Sequence, residues 1–332
     1  MGGVSGEAPV VMGLVRIVCN VAIVTLLQVV FGQSSLKEVL RENALSPTPW
    51  RPLALTLRGH MILAQITDFH VRTGGRAYGV VNTATCLAAA VARLSALDPQ
   101  PDLVVATGDL TDSGRPEEYE LLREILRPLA TPVYLMPGNH DDRETLRQAF
   151  RGYGYFPAAG FLNYVVEAPD LRLVALDTVV TGEGGGMLCA ARLDWLEREL
   201  RAAPERATAI SMHHPPFRSG IAHMDAIGLD GADAFAALLA RHPQVKRVFC
   251  GHLHRAIQTG LGGDIVASTA PSTAHQVNLD LRADGPATFI MEPPGYQLHV
   301  WDARGACVSH TGFIDAYDGP YPFHDIAAAN AR

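Results

Sequence analysis

Short apolar segments alternate with segments of helical periodicity from residue 61 onwards. Five of the apolar segments have the length of β-strands and are rich in Val, Ile and Leu: residues 62–67, 103–107, 133–136, 207–212 and 245–250. Such segments are typical of strands that are buried within a sheet. Helical patterns separate most of them, and strands that alternate with helices predict an α/β fold.

The helical pattern covers three stretches, residues 79–97, 190–202 and 232–242. A further helix is predicted to open at residues 115–118, because Pro is favoured early in a helix and acidic side chains are favoured in its first turn. Between the helices, residues 163–167 and 171–177 flank a turn and indicate a hairpin. The hairpin predicts a sheet that is not purely parallel.

Polar side chains follow each of the five apolar segments. The clusters are Asp68 with His70, Gly108-Asp109, Gly138-Asn139-His140-Asp141, His213-His214 and Gly251-His252-Leu253-His254. Because ligands gather at the carboxyl ends of strands in α/β sheets, these side chains are placed to converge although they are far apart in the chain. One cluster alone is weak evidence, since Gly-Asp usually marks a turn. Five clusters in this position argue for a site.

The clusters contain the donor atoms that two divalent cations need. Asp68 and His70 are two residues apart and project to the same side of an extended chain, and His252 and His254 repeat that spacing. The carboxylate of Asp109 has two oxygens and can bridge two metals. We therefore predict a two-metal site at the strand ends.

Two clusters leave a choice between neighbouring residues. Adjacent strand residues point to opposite faces, so only one of His213 and His214 is predicted to be a ligand. The stretch from Asn139 to Asp141 offers an amide oxygen, an imidazole and a carboxylate on successive residues. A simple turn does not require that density of functional groups.

The composition is that of an ordinary globular protein with an excess of acidic groups. Of the 332 residues, 48% are hydrophobic, so the chain can bury a substantial core. The 27 basic and 34 acidic residues leave a formal charge of -7, without the basic footprint of a protein that binds nucleic-acid polymers. The five cysteines lie far apart without a C-x-x-C pair. This favours reduced thiols and a cytoplasmic protein.

The first sixty residues differ from the rest. Residues 17–31 are nearly all apolar, follow Arg16 and precede small and polar residues, which resembles the apolar region of a signal peptide. This stretch is shorter than the about 20 residues of a membrane span, and we predict no firm membrane association. If residues 10–33 act as a signal or anchor, the protein is instead exported or membrane-anchored. Alternatively Met61, at the start of the first strand, is the true start.

Taken in order, the five clusters resemble the motifs of the calcineurin-like metallophosphoesterases: D-x-H, G-D, G-N-H-D/E, H and G-H-x-H. Residues 114–119, 138–142, 213–216 and 250–254 resemble the class III phosphodiesterases, which include bacterial cyclic-nucleotide phosphodiesterases and glycerophosphodiesterases. Residues 220–225 and 273–277 look closer to the glycerophosphodiesterase branch. The resemblance covers about residues 61–320. It implies an α/β sandwich in which two mixed β-sheets pack between helices.

The resemblance also implies a division of the chain into three regions. Residues 1–60 form an N-terminal extension, residues 61–270 the metallophosphoesterase catalytic core, and residues 271–332 C-terminal strands or a cap that completes the domain. The last region could also cover the pocket or form an oligomer interface, so a homo-oligomer remains one of the alternatives.

The family's metal ligation, carried over to this chain, involves seven residues. Asp68, His70, Asp109 and His254 hold one metal, and Asp109, Asn139, His213 and His252 hold the other. His213 is preferred over His214 because the family's ligand is the histidine that ends the strand. Nitrogen and oxygen ligands without a thiolate suit Mn, Fe, Co or Zn. The resemblance thus implies two divalent metal ions.

The mechanism that the family implies is hydrolysis by a hydroxide that bridges two cations about 4 Å apart. Asp109, as the bridge, and His140, just outside the metals, are the implied catalytic residues, and His140 stabilises the phosphoryl oxygens or protonates the leaving group. Purple acid phosphatases of the same superfamily carry a tyrosine ligand three residues after the bridging aspartate. That position is Asp112 here, so we predict no enzyme of that type.

The substrate is predicted to be a small phosphodiester, a glycerophosphodiester first and a cyclic nucleotide second. Candidate substrate contacts are Asn139, His140, His214, Arg72 and Arg218. The alternatives are a phosphomonoesterase or nuclease with the same metal centre, or a scaffold of this fold without activity. All seven ligand positions are intact, which favours the enzyme, and the acidic net charge speaks against a nuclease.

Overall fold

The computed structural model describes residues 59–323, which lie within one compact unit, Pro49–Arg332. The predicted N-terminal extension, with its signal-like segment, therefore falls outside the described residues except for its last two. Among the helices of residues 59–323, none has both the length and the apolar character to cross a membrane.

The first sheet has five strands: β1 (His60–Ile66), β2 (Leu103–Ala106), β3 (Val133–Leu135), β14 (Gly295–Asp302) and β15 (Cys307–Phe313). Their order is β15-β14-β1-β2-β3. Strands β1, β2 and β3 are parallel, and β14 pairs antiparallel with both β1 and β15. The C-terminal part of the chain thus pairs directly with the first strand.

The second sheet has six strands: β4 (Tyr164–Glu167), β5 (Arg172–Leu176), β7 (Thr208–Met212), β9 (Val245–Cys250), β10 (Ile257–Gly260) and β11 (Val266–Thr269). Their order is β10-β11-β9-β7-β5-β4. The four central strands are parallel, and the edge strands β4 and β10 are antiparallel to their neighbours. The predicted hairpin is confirmed as β4 and β5, and both large sheets are mixed.

Within residues 59–323, two short ribbons lie outside the large sheets. One pairs β6 (Gly186–Met187) with β8 (Leu229–Asp230), and the other pairs β12 (Gln276–Val277) with β13 (Phe289–Ile290). Neither ribbon was predicted, because two residues are too few to show an alternating pattern.

Six α-helices connect the strands of the described region. They are α1 (Thr83–Ser95), α2 (Pro116–Leu126), α3 (Arg143–Ala149), α4 (Ala190–Ala202), α5 (Ala222–Asp225) and α6 (Ala232–Leu239). Helix α1 begins later than predicted because the side chain of Asn82 accepts a hydrogen bond from the backbone of Thr85 and caps it. Helix α2 opens with Pro116 and two acidic residues, as predicted.

Three apolar clusters arrange these elements in layers. Between the sheets, side chains such as Leu63 and Val105 from the first sheet pack with Leu173 and Phe249 from the second. The outer face of the first sheet packs against α1, α2 and α3, and that of the second packs against α4 and α6. Strands buried on both faces read as continuous apolar segments. The predicted α/β sandwich with two mixed sheets between helices is confirmed.

Candidate metal centre

The predicted ligands lie in loops that continue the parallel strand ladders. The backbone N–H of Asp68 donates to the carbonyl of Gly108 (3.1 Å), and that of His70 donates to Asp109 (2.9 Å). In the second sheet, Gly251 donates to the carbonyl of His213 (3.0 Å). The loops after β1 and β2, and those after β7 and β9, are therefore joined by main-chain bonds that align their side chains.

The backbone of the ligand loops is strained. Within the described residues, six non-glycine residues have positive φ, and five are predicted ligands: Asp68 (53°), His70 (46°), Asp109 (49°), His252 (69°) and His254 (49°). A left-handed backbone costs about 1–3 kcal/mol for such residues and persists only where surrounding contacts enforce it. The sixth is Tyr78 (51°), which lies at the rim of the same site.

Glycines allow the loops to approach one another closely. A Cβ at Gly138 would collide with the backbone and carboxylate of Asp109, and one at Gly251 would collide with Thr67 and the carbonyl of Thr107. The Gly of each motif is thus required by space rather than by a turn alone.

Four of the predicted ligands form one buried group. Ligand atoms of Asp68, His70, Asp109 and His254 all lie within 4.8 Å of one another. The Nε2 atoms of His70 and His254 are 3.1 Å apart, and Nε2 of His254 lies 3.5 Å from Oδ1 of Asp68. Oδ2 of Asp109 lies 3.6 Å from Nε2 of His70. The structure therefore brings together the predicted ligands of the first metal.

The remaining predicted ligands form a second group beside the first. Oδ1 of Asn139 lies 3.1 Å from Nε2 of His213 and 3.1 Å from Nδ1 of His252. Oδ1 of Asp109 lies 3.4 Å from Nε2 of His213. Asp109 thus turns one oxygen towards each group, which is the position expected of a bridging carboxylate.

Main-chain carbonyls orient the ligand imidazoles. Nδ1 of His213 donates to the carbonyl of Thr107 (2.8 Å), Nε2 of His252 to that of Ile227 (3.0 Å), and Nδ1 of His254 to that of His275 (2.9 Å). A carbonyl can only accept, so the nitrogen beside it carries the proton. In a neutral ring the opposite nitrogen then presents a lone pair to the centre of the site.

This arrangement fits divalent cations. Nδ1 of neutral His252 faces the amide oxygen of Asn139 at 3.1 Å, so two acceptors face each other without a hydrogen between them. Such a contact is unfavourable unless a cation lies between the atoms. The donors are imidazole nitrogens, carboxylates and an amide oxygen without a thiolate, which suits first-row transition metals.

Electrostatics favour an ionised Asp109. Burial alone would raise the pKa of Asp109, but the imidazoles of His213 and His140 lower it well below its ordinary value. Burial alone would lower the pKa of His213, but the carboxylate of Asp109 raises it to about 9. Burial, together with the charge of His213, lowers the pKa of His252 to about 3. Asp109 and His213 therefore form an ion pair before any cation is added, while His252 is neutral.

His140 lies just outside the two groups. Its ring stands edge-on to that of His70, with centroids 4.6 Å apart, and its Nδ1 donates to the carbonyl of Asp112 at 2.9 Å. Nε2 is then the atom that His140 can offer to a substrate. Burial would lower the pKa of His140, but Asp109, the hydrogen bond to the carbonyl of Asp112 and the nearby carboxylates of Asp112 and Asp141 together raise it.

Asp141 joins the loops after β2 and β3. Its carboxylate accepts from the backbone of Gly138 (2.9 Å), Leu110 (3.0 Å) and Thr111 (3.1 Å), and from the hydroxyl of Tyr119 (2.9 Å). Burial raises its pKa to about 6. This carboxylate sets the position of the loop that carries Asn139 and His140.

His214 is hydrogen-bonded to the loop that follows β5. Its Nδ1 accepts from the hydroxyl of Thr178 (2.8 Å) and its Nε2 donates to the carbonyl of Gly184 (3.1 Å). The residue is fully buried, and one of its ring nitrogens lies within 4.8 Å of ligand atoms of His213 and His252. Its contact with the substrate stays a prediction.

The two predicted arginines lie in different surroundings. Arg72 is partly exposed and forms an ion pair with Asp112 (3.3 Å), whose carbonyl holds His140. Arg218 is 86% exposed, and its described partner is Asp225 at 4.0 Å. Arg72 is thus linked through Asp112 to His140, and the substrate contacts of both arginines stay predictions.

Two aromatic residues beside the site, Tyr78 and Phe289, did not stand out in the sequence. They contact His275 at 5.3 Å each, and the ring of His275 lies 4.8 Å from that of His254. Burial, together with His140, lowers the pKa of His275 to about 4. The sequence signal for this surface was the resemblance of residues 273–277, which include His275, to the glycerophosphodiesterase branch.

Residues 61–256 match the family model for calcineurin-like phosphoesterases. The chain is a calcineurin-like phosphoesterase. A curated relative, the probable glycerophosphodiester phosphodiesterase GpdQ of Arcobacter nitrofigilis, is 41% identical over 267 residues, which are 80% of this chain and 97% of the relative. The cyclic adenosine monophosphate phosphodiesterase CpdA of Pseudomonas aeruginosa is 33% identical over 241 residues, 71% of this chain and 84% of that protein.

Solved structures show the same fold for this phosphoesterase. A dimetal phosphatase from Danio rerio superposes with a TM-score of 0.52 at 14% identity, covering 77% of this chain and 99% of the other. The predicted family and the predicted class of enzyme, a phosphoester hydrolase whose curated relatives are named phosphodiesterases, are confirmed.

Proposed function

We propose that this phosphoesterase is a dinuclear-metal phosphodiesterase that hydrolyses small diesters, namely glycerophosphodiesters and cyclic nucleotides. The observation that carries the proposal is the convergence of all seven predicted ligands into two adjacent groups that share Asp109. The names of the relatives, which include glycerophosphodiester and cyclic-nucleotide phosphodiesterases, support the substrate class.

The residues of the first group would hold one cation, and Asn139, His213 and His252 would hold the second together with Asp109. When bound, the pair of cations supplies an activated water and a positive charge that polarises the phosphoryl group. The chain's own contribution is to keep Asp109 ionised and its two oxygens turned apart, and to hold each imidazole in the tautomer that presents a lone pair.

His140 would act on the substrate directly. Its Nδ1 is held by the carbonyl of Asp112, so Nε2 would donate a hydrogen bond to a phosphoryl oxygen or a proton to the leaving oxygen. Arg72, tethered by Asp112, would contribute a positive charge at the same side. Arg218, which is largely exposed, is the second candidate contact of the substrate.

The C-terminal strands belong to the catalytic domain in this proposal. Strand β14 pairs with β1 along its length, and Ser272 donates to the carbonyl of Asp68 (2.8 Å) through its hydroxyl. These contacts support a division in which residues 61–270 form the core and the following strands complete it.

The test is hydrolysis of bis(p-nitrophenyl) phosphate by metal-stripped protein, before and after the addition of Mn²⁺. Cyclic AMP and glycerophosphoethanolamine are assayed in parallel. We expect activity to return with the metal, and the ratio of the two natural diesters to rank the substrates. A folded protein that hydrolyses no diester with Mn, Fe, Co or Zn would overturn the proposal.

A further inference from the structure

Three aromatic side chains form a continuous surface at the rim of the metal centre. Tyr78, His275 and Phe289, called the aromatic wall from here on, lie within 5.0–5.3 Å of one another by ring centroids. Ala77, Val81 and Ala274 pack behind Phe289 in a small apolar cluster. The wall is thus a built surface rather than three isolated rings.

The wall begins where the metal-binding residues end. His275 is its innermost member, with its ring 4.8 Å from that of His254 and 5.5 Å from that of His70. At its outer end, burial and the carboxylates of Asp112 and Asp109 raise the pKa of Tyr78. A phosphate held by the metal centre would therefore place its organic substituent within reach of the wall.

Tyr78 combines exposure with strain. Its side chain is 57% exposed, although the ring is apolar, and its φ is 51°. Tyr78 and Gly79 (φ 75°) are the two central residues of a tight turn, in which the N–H of Val80 donates to the carbonyl of Ala77 (3.1 Å). This turn holds the Tyr78 ring against His275 and Phe289 at the mouth of the site, although a left-handed backbone is unfavourable for a non-glycine residue.

The charges beside the wall favour a planar group over a cationic one. Two acidic side chains close to the wall are each paired with an arginine: Asp112, which acts on Tyr78, with Arg72 (3.3 Å), and Glu292, three residues after Phe289, with Arg255 (2.7 Å). An ammonium head group would find these carboxylates already neutralised. A flat aromatic group needs only the ring faces, on which bases of any kind stack.

We infer that the aromatic wall is a stacking subsite for a planar aromatic substituent of the diester, such as a nucleobase, and that it selects such diesters over aliphatic ones. The inference rests on the proposed function for the position of the phosphate. Tyr78 and Phe289 are then residues that determine specificity, since they touch the organic group and not the phosphorus.

The test compares the wild type with Tyr78→Leu and Phe289→Leu, which remove the ring but keep an apolar side chain. We expect each variant to raise the KM for cyclic AMP about tenfold with kcat little changed, and to leave the KM for glycerophosphoethanolamine unchanged. Phe289→Trp, which restores a ring, should keep the KM of the wild type. A matched control is Phe313→Leu, because Phe313 is an exposed aromatic residue whose ring partner is Tyr317 (6.0 Å).

A second measurement separates this inference from the proposed function. Calorimetric titration with AMP and with glycerol 3-phosphate measures binding without turnover. We expect the two leucine variants to bind AMP more weakly and to bind glycerol 3-phosphate as the wild type does. Equal effects on both ligands, or none, would overturn the inference even if diesters are hydrolysed. If no diester is hydrolysed but the affinity for AMP still depends on the two rings, the proposed function is wrong and the stacking subsite is supported. Thermal unfolding of each variant identifies any that fail to fold, and Phe289→Trp and Tyr78→Leu then carry the test.

Discussion

The metal-binding loops and the aromatic wall are neighbours that differ in almost every physical respect. The loops are buried, strained and joined by main-chain bonds to the parallel strands, and their residues form short motifs. The wall combines Tyr78, which is largely exposed, with His275 and Phe289, which lie about two hundred residues later at the paired strands β12 and β13. We conclude that the chemistry is specified by a few adjacent residues in the sequence, whereas substrate selection is assembled by the fold.

The largest effect is expected from a substitution of Asp109, the residue that both ligand groups share. Asp109→Ala removes both carboxylate oxygens that face the two groups, so we expect loss of both metals and of turnover. Metal content measured by mass spectrometry, together with the rate on bis(p-nitrophenyl) phosphate, checks this. A variant that keeps both metals would contradict the bridging role of Asp109.

The next change separates chemistry from metal binding. His140→Ala should keep both metals, because its ring nitrogen bonds to a carbonyl outside the ligand groups. The rate should fall by about 10²–10⁴-fold, the range for loss of a general acid. Loss of the metals in this variant would instead make His140 a ligand.

Gly138→Ala tests whether close packing positions the loops. The new Cβ would collide with Asp109, so we expect weaker metal binding and a loss of stability of about 1–3 kcal/mol. The control is Gly152→Ala, at which a Cβ meets nothing within 4 Å. Thermal unfolding with and without metal measures both. Equal behaviour of the two variants would show that the loops can move apart.

The stability of the metal-free protein should depend on pH through the protonation of His213. Its pKa is raised from 6.5 to about 9 in the folded state, so the stability it contributes is fully present below pH 6.5 and is lost as the pH rises through about 9. The contribution is at most about 3 kcal/mol. Denaturation curves between pH 6 and pH 10 measure it. His213→Gln should flatten this dependence, and an unchanged slope in that variant would assign it to another group.

The smallest effect is expected at the rim. Arg72 is partly exposed and its ion pair with Asp112 is of a kind that contributes about 0–1 kcal/mol. Arg72→Ala should therefore leave the melting temperature nearly unchanged. It should raise KM several-fold for all diesters, because an arginine that binds the phosphate does not contact the organic group. Steady-state kinetics on cyclic AMP and glycerophosphoethanolamine checks this. A change confined to one diester would place Arg72 in the specificity surface.

The sequence was most informative where a single physical cause dominates. Buried strands such as β1 and β9 appear as continuous apolar segments, and the ligand motifs follow them directly. The hydrogen-bond partners of His214 could not be predicted, because Thr178 and Gly184 lie 30–36 residues away and belong to another loop. Strands β12 and β13 depend on each other and carry too few residues to leave a pattern. The position of Phe289 beside His275 follows from that pairing and could not be predicted.

The hydrogen bonds that orient the ligand imidazoles have a consequence for how this protein tolerates mutation. His213, His252, His254 and also His140 are held by main-chain oxygens of Thr107, Ile227, His275 and Asp112. A substitution at those four positions changes a side chain but leaves the carbonyl in place. The side chains at 112, 227 and 275 can therefore diversify towards new substrates while the geometry of the metal ligands is inherited unchanged.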